Sequence, residues 1–499
     1  MKKFVYLGGL VLSAGLFAMP AIAANGDNDD GVTLHGEFRA RYDYISNFVD
    51  FQDSATSGDP LDDDIDFIPY RVRIGAKKHF SRNVSSYIEL QAQGLFGEDS
   101  SPLESPGDPL GQTTDLRTSG DVNLYQAYID LKDIGDSVLT LRIGRQEHRL
   151  GNELMLGDLD FYNGISFDGV RAWFDWDSFN LGVYYYDISE LNIRNGSILD
   201  GGDADATIFG IDGTWELGDT GGEIQPYILY YRDGQSFAND PNTPGFGVIP
   251  SGLQVTTIGI LFHRPVDSRE DVDRNAFDYS IEAATQTGTF DTNASDQDLG
   301  GFIAEGWGGF NWNHGRHSRS RVHIGGLFAS GDDDPTDNDI GFFVPLFPDN
   351  HDYNRLGDLD LFAGALAPGS FSSSGLSTVG IGGGLGSGMT NISDINVGYE
   401  AWINDGRHYF MASIHTLNLT DNFIFGTDLN GASAGLNKND DIGTEFDFKY
   451  KYQYNPNVGI EIGIATLSSG DLLDEISQFN TGNDADDPMR AWGQIRLRF

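Results

Sequence analysis

Short stretches that alternate apolar and polar residues recur along the chain, and they constrain its fold more than any other feature. The clearest lie at 38–43, 71–74, 125–131, 446–453 and 458–464. In each stretch one set of alternate residues is apolar or aromatic, and in most of them the other set is charged. A period of two residues is typical of a β-strand with two different faces. The 3.6-residue period of an amphipathic helix appears nowhere at length, so the sequence predicts an all-β protein.

The connections between these strands come in two sizes that alternate along the chain. Short connections with turn residues such as Asn404-Asp405-Gly406 are expected near 80–85, 132–137, 175–179, 217–222, 264–275, 313–319, 404–407 and 454–458. Long connections are expected near 46–66, 97–121, 146–166, 187–206, 234–254, 288–299, 330–395, 416–441 and 468–488. This alternation is typical of an outer-membrane barrel with short periplasmic turns and long extracellular loops. It predicts a single closed antiparallel transmembrane β-barrel of about 18 strands.

Both ends of the chain favour the same location. Lys2 and Lys3, the apolar stretch 4–18 and the small residues around Ala23 have the pattern of a Sec signal peptide at 1–23. The barrel then occupies 24–499. The last strand, AWGQIRLRF, alternates and ends on Phe499. We interpret Phe499 as the assembly signal for the barrel-assembly machinery and predict localisation in the outer membrane of a Gram-negative cell. A soluble β-sandwich would share the alternation, and the termini decide against it.

The formal net charge of −44 argues against a nucleic-acid partner, because proteins that bind nucleic acids are basic. Most of the acid lies in the expected loops. In the stretch 332–339 the aspartates could bind calcium and bridge to lipopolysaccharide, although a merely solvated loop is the other interpretation. The candidate metal ligands are Asp332, Asp333, Asp334, Asp337 and Asp339. Apart from this calcium, no cofactor is expected.

Basic residues recur on the polar face of the strands, where they would line the lumen. Rings of Arg or Lys select anions, whereas pairs of arginine and carboxylate could simply brace the wall. Both interpretations remain open from the sequence. The candidate lumen residues are Arg39, Arg41, Arg71, Arg73, Arg142, Arg321, Lys449, Lys451, Arg496 and Arg498.

The sequence contains only weak matches to catalytic motifs. Gly431–Gly435 matches G-x-S-x-G but lies in a Gly/Asn-rich loop, whereas that motif needs a strand before it and a helix after it. An outer-membrane enzyme, the alternative class, would need a Ser/His pair or an acidic dyad at the outer rim. We therefore predict that the protein is not an enzyme.

Residues 122–132 (VNLYQAYIDLK), 141–158 (LRIGRQEHRLGNELMLGD) and 167–176 (FDGVRAWFDW) resemble the alginate export family of outer-membrane barrels. The resemblance implies an 18-stranded barrel that passes an anionic polysaccharide through a basic lumen. It also implies that Arg145 and Arg171 are substrate contacts. A general diffusion porin without substrate specificity remains the alternative. The other matched positions are Gly144, Gln146, Gly157, Asp158, Phe167, Asp168, Gly169 and Val170.

Overall fold

The computed structural model shows eighteen long strands in one antiparallel ring. It describes residues 31–47, 51, 65–96, 122–158, 164–189, 206–218, 222–233, 253–264, 276–291, 296–315, 317–333, 339–349, 356–359, 389–421 and 439–499. The expected signal peptide lies outside these residues. The strands of the ring are β1 Val32–Ser46, β2 Pro69–Ser81, β3 Val84–Leu95, β4 Val122–Leu131, β5 Leu139–Gln146, β6 Phe167–Trp176, β7 Phe179–Ser189, β8 Ala206–Glu216, β9 Glu223–Asp233, β10 Leu253–Arg264, β11 Ala276–Asp291, β12 Phe302–Asn313, β13 Ser318–Ala329, β14 Ile392–Ile403, β15 His408–Leu419, β16 Asp441–Asn455, β17 Val458–Ser469 and β18 Met489–Arg498.

The first and last strands close the ring. β18 pairs antiparallel with β1 from Glu37 opposite Arg498 to Ser46 opposite Met489. The backbone N–H of Gly36 donates to the carbonyl oxygen of Phe499 at 2.9 Å, and the N–H of Phe499 donates back to Gly36 at 3.0 Å. Closure leaves no unpaired edge strand, which a barrel in lipid requires. The prediction of a closed antiparallel barrel of about 18 strands is therefore confirmed.

Most connections alternate between short and long as predicted, except that the expected short connection after β10, residues 265–275, is no shorter than the expected long one after β11, residues 292–301. Arg82 and Asn83 alone join β2 to β3, and Pro456 and Asn457 alone join β16 to β17. In the turn between β14 and β15, Asn404, Asp405 and Gly406 all adopt positive φ of 58–76°, a conformation that Asn, Asp and Gly tolerate best. The start of β1 and Phe499 lie at this short-turn end of the barrel, which we assign to the periplasm.

The outward face of the strands is apolar. Ile395, Ile324 and Ile74 are 67%, 64% and 56% exposed, as expected for side chains that face lipid rather than a shared core. Near the short-turn end, Trp176, Phe179 and Trp215 form a stacked group, with 4.1 Å between the ring centroids of the last two. Such aromatic residues mark a membrane–water interface. Among the described residues, no helix is long and apolar enough to cross a membrane.

Strand β4 departs from the predicted alternation at one residue. We expected Tyr125 on the apolar outward face, but the pairing of β3 with β4 shifts register between Glu89 and Leu90, which leaves Tyr125 as an extra residue. A β-bulge of this kind turns a side chain to the other face. Tyr125 is 5% exposed, and the guanidinium carbon of Arg73 lies 3.9 Å from its ring centroid.

The long loops fold into the barrel and build an apolar core there. Leu154, Met155, Leu156, Phe343 and Leu346 are fully buried in this core. They pack against inward residues at the outer ends of the strands, which are also apolar, including Ile208, Leu229, Val255, Ile303, Leu417 and Leu467. The rule that the apolar face of a strand faces lipid therefore fails at the outer ends of the strands, because the inward-folded loops cover the inner surface of the barrel there.

A few small elements complete the described loops. The short strand Ile65–Phe67 pairs with the outer end of β1, and Asp296–Leu299 pairs with Asp339–Ile340. The helix α1, Asp471–Thr481, belongs to the connection between β17 and β18, and its residues Leu472, Leu473 and Ile476 are buried. In the described part of the long connection after β13, the only regular element is the two-residue strand.

Candidate channel lumen

The seam where the barrel closes carries arginines side by side. Arg39 on β1 lies directly opposite Arg71 on β2 and directly opposite Arg496 on β18. Glu37 lies one inward position away, between Arg73 and Arg498. Like charges placed directly across a sheet destabilise it, so a row of three arginines needs either counter-charges or a functional reason.

Few carboxylates lie beside the basic residues of this seam, and each of them contacts more than one basic residue. Glu37 contacts Arg71 at 2.6 Å, Arg496 at 2.9 Å and Arg498 at 3.3 Å. Asp43 contacts Arg41 at 2.8 Å and Arg490 at 3.2 Å. Glu461 lies 3.2 Å from Lys451 and 4.0 Å from Arg41. On β17, β18, β1 and β2 the inward faces hold seven arginines and three carboxylates, so this sector of the lumen is positively charged.

The seam is covered at its outer part and open at its periplasmic end. Arg71 is fully buried and Arg41 is 4% exposed, whereas the side chains of Lys451 and Arg498 are 51% and 62% exposed. The inward-folded loops lie at the outer level. The described conformation therefore has a wet periplasmic vestibule that narrows towards the loops.

Two more predicted residues, Arg142 and Arg171, face the lumen beside aromatic rings. The Arg142 guanidinium lies 3.8 Å from the ring centroid of Tyr128 and pairs with Asp130 at 2.7 Å. Arg171 lies directly across from Arg142, and Trp173 is 5.6 Å from both guanidinium groups. Stacking of this kind holds a guanidinium flat while leaving its edge for an anion.

Arg145 lies on the other face, contrary to the prediction. It stands three residues after Arg142, and residues three apart on a strand point to opposite sides. Arg145 shares its face with Ile143, which is 46% exposed on the outside of the barrel. There it forms a two-pronged ion pair with Asp168, at 2.5 and 2.8 Å. Arg145 is therefore a residue of the outer surface and not of the lumen.

The opposite part of the wall is rich in carboxylates that sequence reasoning largely missed. They alternate with exposed apolar residues, for example Glu400 with Tyr399, and that alternation could have revealed them. Most occur on β11, β12, β14 and β16. They are Asp278, Glu282, Glu305, Asp394, Glu400, Glu445 and Asp447. The lumen is thus divided into an arginine-rich and a carboxylate-rich sector, and the prediction of a basic lumen is not confirmed.

Within the carboxylate-rich sector, Arg321 and Lys449 serve as internal counter-charges. Arg321 lies between Asp278 at 2.6 Å and Glu400 at 2.5 Å. Lys449 contacts Asp358 of the long connection after β13 at 2.7 Å. These contacts fit the wall-bracing interpretation, in which arginine and carboxylate hold neighbouring strands and a loop together.

One asparagine pins an inward-folded loop to two wall carboxylates. Glu282 and Glu305 lie directly opposite each other on β11 and β12. The amide Nδ2 of Asn152 donates to Glu305 at 2.8 Å, and its backbone N–H donates to Glu282 at 2.5 Å. Tyr227 donates its hydroxyl to the other oxygen of Glu282 at 2.7 Å. This network holds the segment around Asn152 inside the barrel.

The same loop begins with a buried histidine. His148 is 2% exposed, its Nδ1 lies 3.0 Å from the hydroxyl oxygen of Tyr186, and its ring meets Tyr184 edge to face. Burial lowers the pKa of His148 well below its usual range, and Arg171 and Arg142 lower it further. His148 is therefore neutral at physiological pH.

The predicted calcium ligands do not come together among the described residues. Asp334 and Asp337 lie outside the described part of the chain, and no described group with metal-like spacing includes Asp332, Asp333 or Asp339. A different group, Glu153, Asp158 and Asp349, has that spacing. Calcium binding at 332–339 stays a prediction.

A Ser–His–Asp contact exists on the inward wall. His415 lies 2.9 Å from Asp394 and 3.3 Å from the Ser413 hydroxyl. The Ser413 hydroxyl, however, donates to Asp447 at 3.1 Å, and His415 is fully buried. Because the Ser413 hydroxyl donates its proton to Asp447 and His415 is buried, we interpret these residues as a structural network of the barrel wall.

The family and the fold neighbours are channels. The model of the alginate export family matches residues 33–361. No curated protein matches the chain. In fold it is similar to OccAB3 of Acinetobacter baumannii, with a TM-score of 0.53 and 10% identity over 94% of this chain and 99% of that one. OccAB1 of the same organism gives a TM-score of 0.52 and 10% identity over 94% and 96% of the two chains. With a closed barrel, an apolar outer belt and a charged lumen, the chain belongs to the alginate export family and is a channel of the outer membrane rather than an enzyme.

Proposed function

We propose that this channel passes a hydrophilic anionic solute, of the class of uronate polysaccharides, along the arginine-rich seam. The observation that carries the proposal is the direct opposition of Arg71, Arg39 and Arg496 across three neighbouring strands. A wall that needed only bracing would alternate arginine with carboxylate. Three cations in one row, which share few carboxylates, favour a path for a permeating anion.

The proposal assigns a role to each part of the seam. Arg496, Arg498 and Lys451 would bind the carboxylates of the polymer in the open vestibule. Guanidinium groups bind carboxylates with two parallel hydrogen bonds, and several such sites at similar affinity let a chain move from one to the next. Arg39, Arg41, Arg71 and Arg73 would form the narrow part, and Lys449, Arg142 and Arg171 would extend the cationic wall on either side.

The carboxylate-rich sector would complete the recognition of a sugar. Carboxylates such as Glu400 and Asp278, whose side chains are 12% and 10% exposed, would accept hydrogen bonds from hydroxyl groups and repel the acid groups of the polymer. A uronate would therefore be oriented with its carboxylates towards the seam and its hydroxyls towards the opposite wall. A neutral oligosaccharide would lack the first of these contacts.

Passage requires the inward-folded loops to move, because Arg71 is fully buried beneath them. The network around Asn152 would hold the closed state. Outside the lumen, we propose lipopolysaccharide as the lipid partner of the outer rim, through calcium-bridged contacts with the acidic stretch 332–339, and the barrel-assembly machinery as the partner of Phe499.

Block of single-channel current by short oligouronates tests this proposal. Oligouronates added to the periplasmic side should interrupt current through the wild type, and neutral oligosaccharides of equal length should not. Arg496→Gln with Arg498→Gln should weaken the block at least tenfold. The matched control is Arg145→Gln with Arg232→Gln, which removes the same charge from the outward face. Equal block by neutral and acidic oligosaccharides would favour the alternative, a general diffusion porin.

A further inference from the structure

Two loop segments meet inside the barrel and are joined by their backbones. The N–H of Gly157 donates to the carbonyl of Phe347 at 2.6 Å, and the N–H of Phe347 donates to that of Met155 at 2.9 Å. The N–H of Asp349 donates to the carbonyl of Glu153 at 3.0 Å. These bonds fix Glu153 and Asp349 next to each other, although nearly 200 residues of chain separate them.

Three carboxylates converge at this junction. One oxygen from each of Glu153, Asp158 and Asp349 lies within 4.8 Å of the others, and the three residues are 1–2% exposed. Arg149 contacts Asp158 and lies 3.4 Å from Glu153 Oε1, but the Arg149 side chain is half exposed. Among the described residues, ionising all three buried carboxyls beside one partly solvated cation is unfavourable, because a buried charge needs a close counter-charge.

Two further details point to a ligand at the junction. Glu153 Oε1 is buried and accepts no hydrogen bond from the described residues, leaving Arg149 as its one charged contact there. A glycine also makes room for the group, because a Cβ at Gly157 would stand 2.7 Å from Glu153 Oε2 and 2.9 Å from the Asp349 Cβ. Buried polar atoms without a partner are rare in proteins and call for an explanation such as a bound ion.

We propose that Glu153, Asp158 and Asp349 bind a calcium ion that clips the two inward-folded loops together. The set consists only of carboxylate oxygens, which hard cations prefer, and it lacks the nitrogen and sulfur ligands typical of zinc. Two oxygens bound to one Ca²⁺ at about 2.4 Å can be at most about 4.8 Å apart, which agrees with the observed spacing. The ion would supply the positive charge that Arg149 alone does not.

The calcium site goes beyond the proposed transport function, since its existence does not depend on which solute passes through the lumen. It also differs from the acidic stretch 332–339 in being buried and in joining two loops. Its consequence is mechanical: with calcium bound, the segment around Glu153 and the segment around Asp349 would move as one body.

Calcium titration of the purified full-length protein in detergent, after treatment with a chelator, tests the site directly. The wild type should bind Ca²⁺ calorimetrically and should melt about 5 °C higher at hundredfold excess over the dissociation constant. Mg²⁺ should bind more weakly, because it demands a strict octahedral shell and gives up its water reluctantly. Glu153→Gln and Asp349→Asn should each lose the binding heat and the calcium-dependent rise in melting temperature. Both variants should still fold without calcium, because each removes charge repulsion.

The control variant is Asp177→Asn, which takes one carboxylate from an exposed periplasmic turn and should behave as the wild type does. Asp333→Asn tests the acidic stretch separately. Loss of calcium binding in Asp333→Asn with full binding in Glu153→Gln would overturn the proposal and move the ion to the acidic stretch. Absence of calcium binding in the wild type would also overturn it. Neither result would bear on anion transport, which is measured separately by current block.

Discussion

Arg39 and Arg496 lie directly opposite each other on the two strands that close the barrel. Their neighbours share Glu37: Arg498, two positions after Arg496, contacts this carboxylate at 3.3 Å, and Arg71, directly opposite Arg39 on β2, contacts it at 2.6 Å. The position where the chain completes its ring is thus the position with the highest density of cations. Because the first and last strands meet there, neither end of the sequence alone reveals the cluster.

The loop network around Asn152 should control the conductance. Asn152→Ala removes the amide that donates to Glu305 at 2.8 Å, which leaves that carboxylate without this partner and weakens the docked state of the loop by about 1–3 kcal/mol. We expect a higher mean single-channel conductance and more frequent openings in planar bilayers. Asn83→Ala, a change in an exposed periplasmic turn, is the control. Unaltered gating in Asn152→Ala would mean that other contacts hold the loop.

His148 should make loop docking sensitive to acid. Its pKa is lowered in the docked loop and returns to about 6.5 when the loop is released, so the released state binds the proton more readily. Docking is therefore fully stable above about pH 6.5 and weakens as the pH falls below it. The groups that face His148 are Tyr184 and Tyr186, with Arg142 and Arg171 nearby.

Conductance measured from pH 8 to pH 5 checks this dependence. The wild type should open progressively below pH 6.5, and His148→Gln should lose most of the change because it carries no titrating group. An identical pH profile in the two proteins would assign the effect to another residue.

Arg321 should matter more for stability than the exposed seam residue Arg498 does. Arg321→Gln leaves Asp278 and Glu400 without the cation that lies 2.6 and 2.5 Å away, and breaking a buried ion pair costs about 3–5 kcal/mol. The exposed Arg498 should contribute less than about 1 kcal/mol. Urea unfolding in lipid vesicles measures both. Equal midpoints for Arg321→Gln and Arg498→Gln would contradict the distinction between a bracing and a transport arginine.

Phe499 should be needed for insertion. Its ring is 56% exposed at the periplasmic end of the seam, and its backbone pairs with Gly36. Phe499→Asp should lower the amount of protein in the outer membrane and leave export across the inner membrane intact, which cell fractionation distinguishes. Leu497→Ala, a smaller apolar change on the same face, is the control. Normal insertion of Phe499→Asp would show that the terminal ring is not the assembly signal.

Much of the barrel could be predicted from the sequence, because the period of two residues fixes which side chains face inward. Arg71 and Arg73, two apart, were both placed correctly on the inner face. The same rule shows why Arg142 and Arg145 cannot share a face. It fails at Tyr125, where a bulge adds one residue, and bulges leave little trace in a single sequence.

The interior of the barrel was less predictable for a different reason. Glu153 and Asp349 meet only because two loops fold inward and pair, and no periodicity connects such distant residues. The expected long connection 330–395 takes in the first four residues of β14, so Asp394 is not predicted as a wall residue, although Asp394 and Glu400 alternate with Ile395 and Tyr399. The local alternation of apolar and polar residues identifies the strands of the barrel wall, whereas contacts across the lumen depend on tertiary folding.

The reversal potential under a salt gradient tests the central claim most directly. In a planar bilayer at physiological salt, where loop charges beyond a Debye length of about 8 Å are largely screened, the wild type should be anion-selective despite its net charge of −44. Arg496→Gln with Arg498→Gln should shift the reversal potential towards cations, and Arg145→Gln with Arg232→Gln on the outward face should leave it unchanged. Cation selectivity in the wild type, or equal shifts in the two double variants, would contradict a cationic path along the seam.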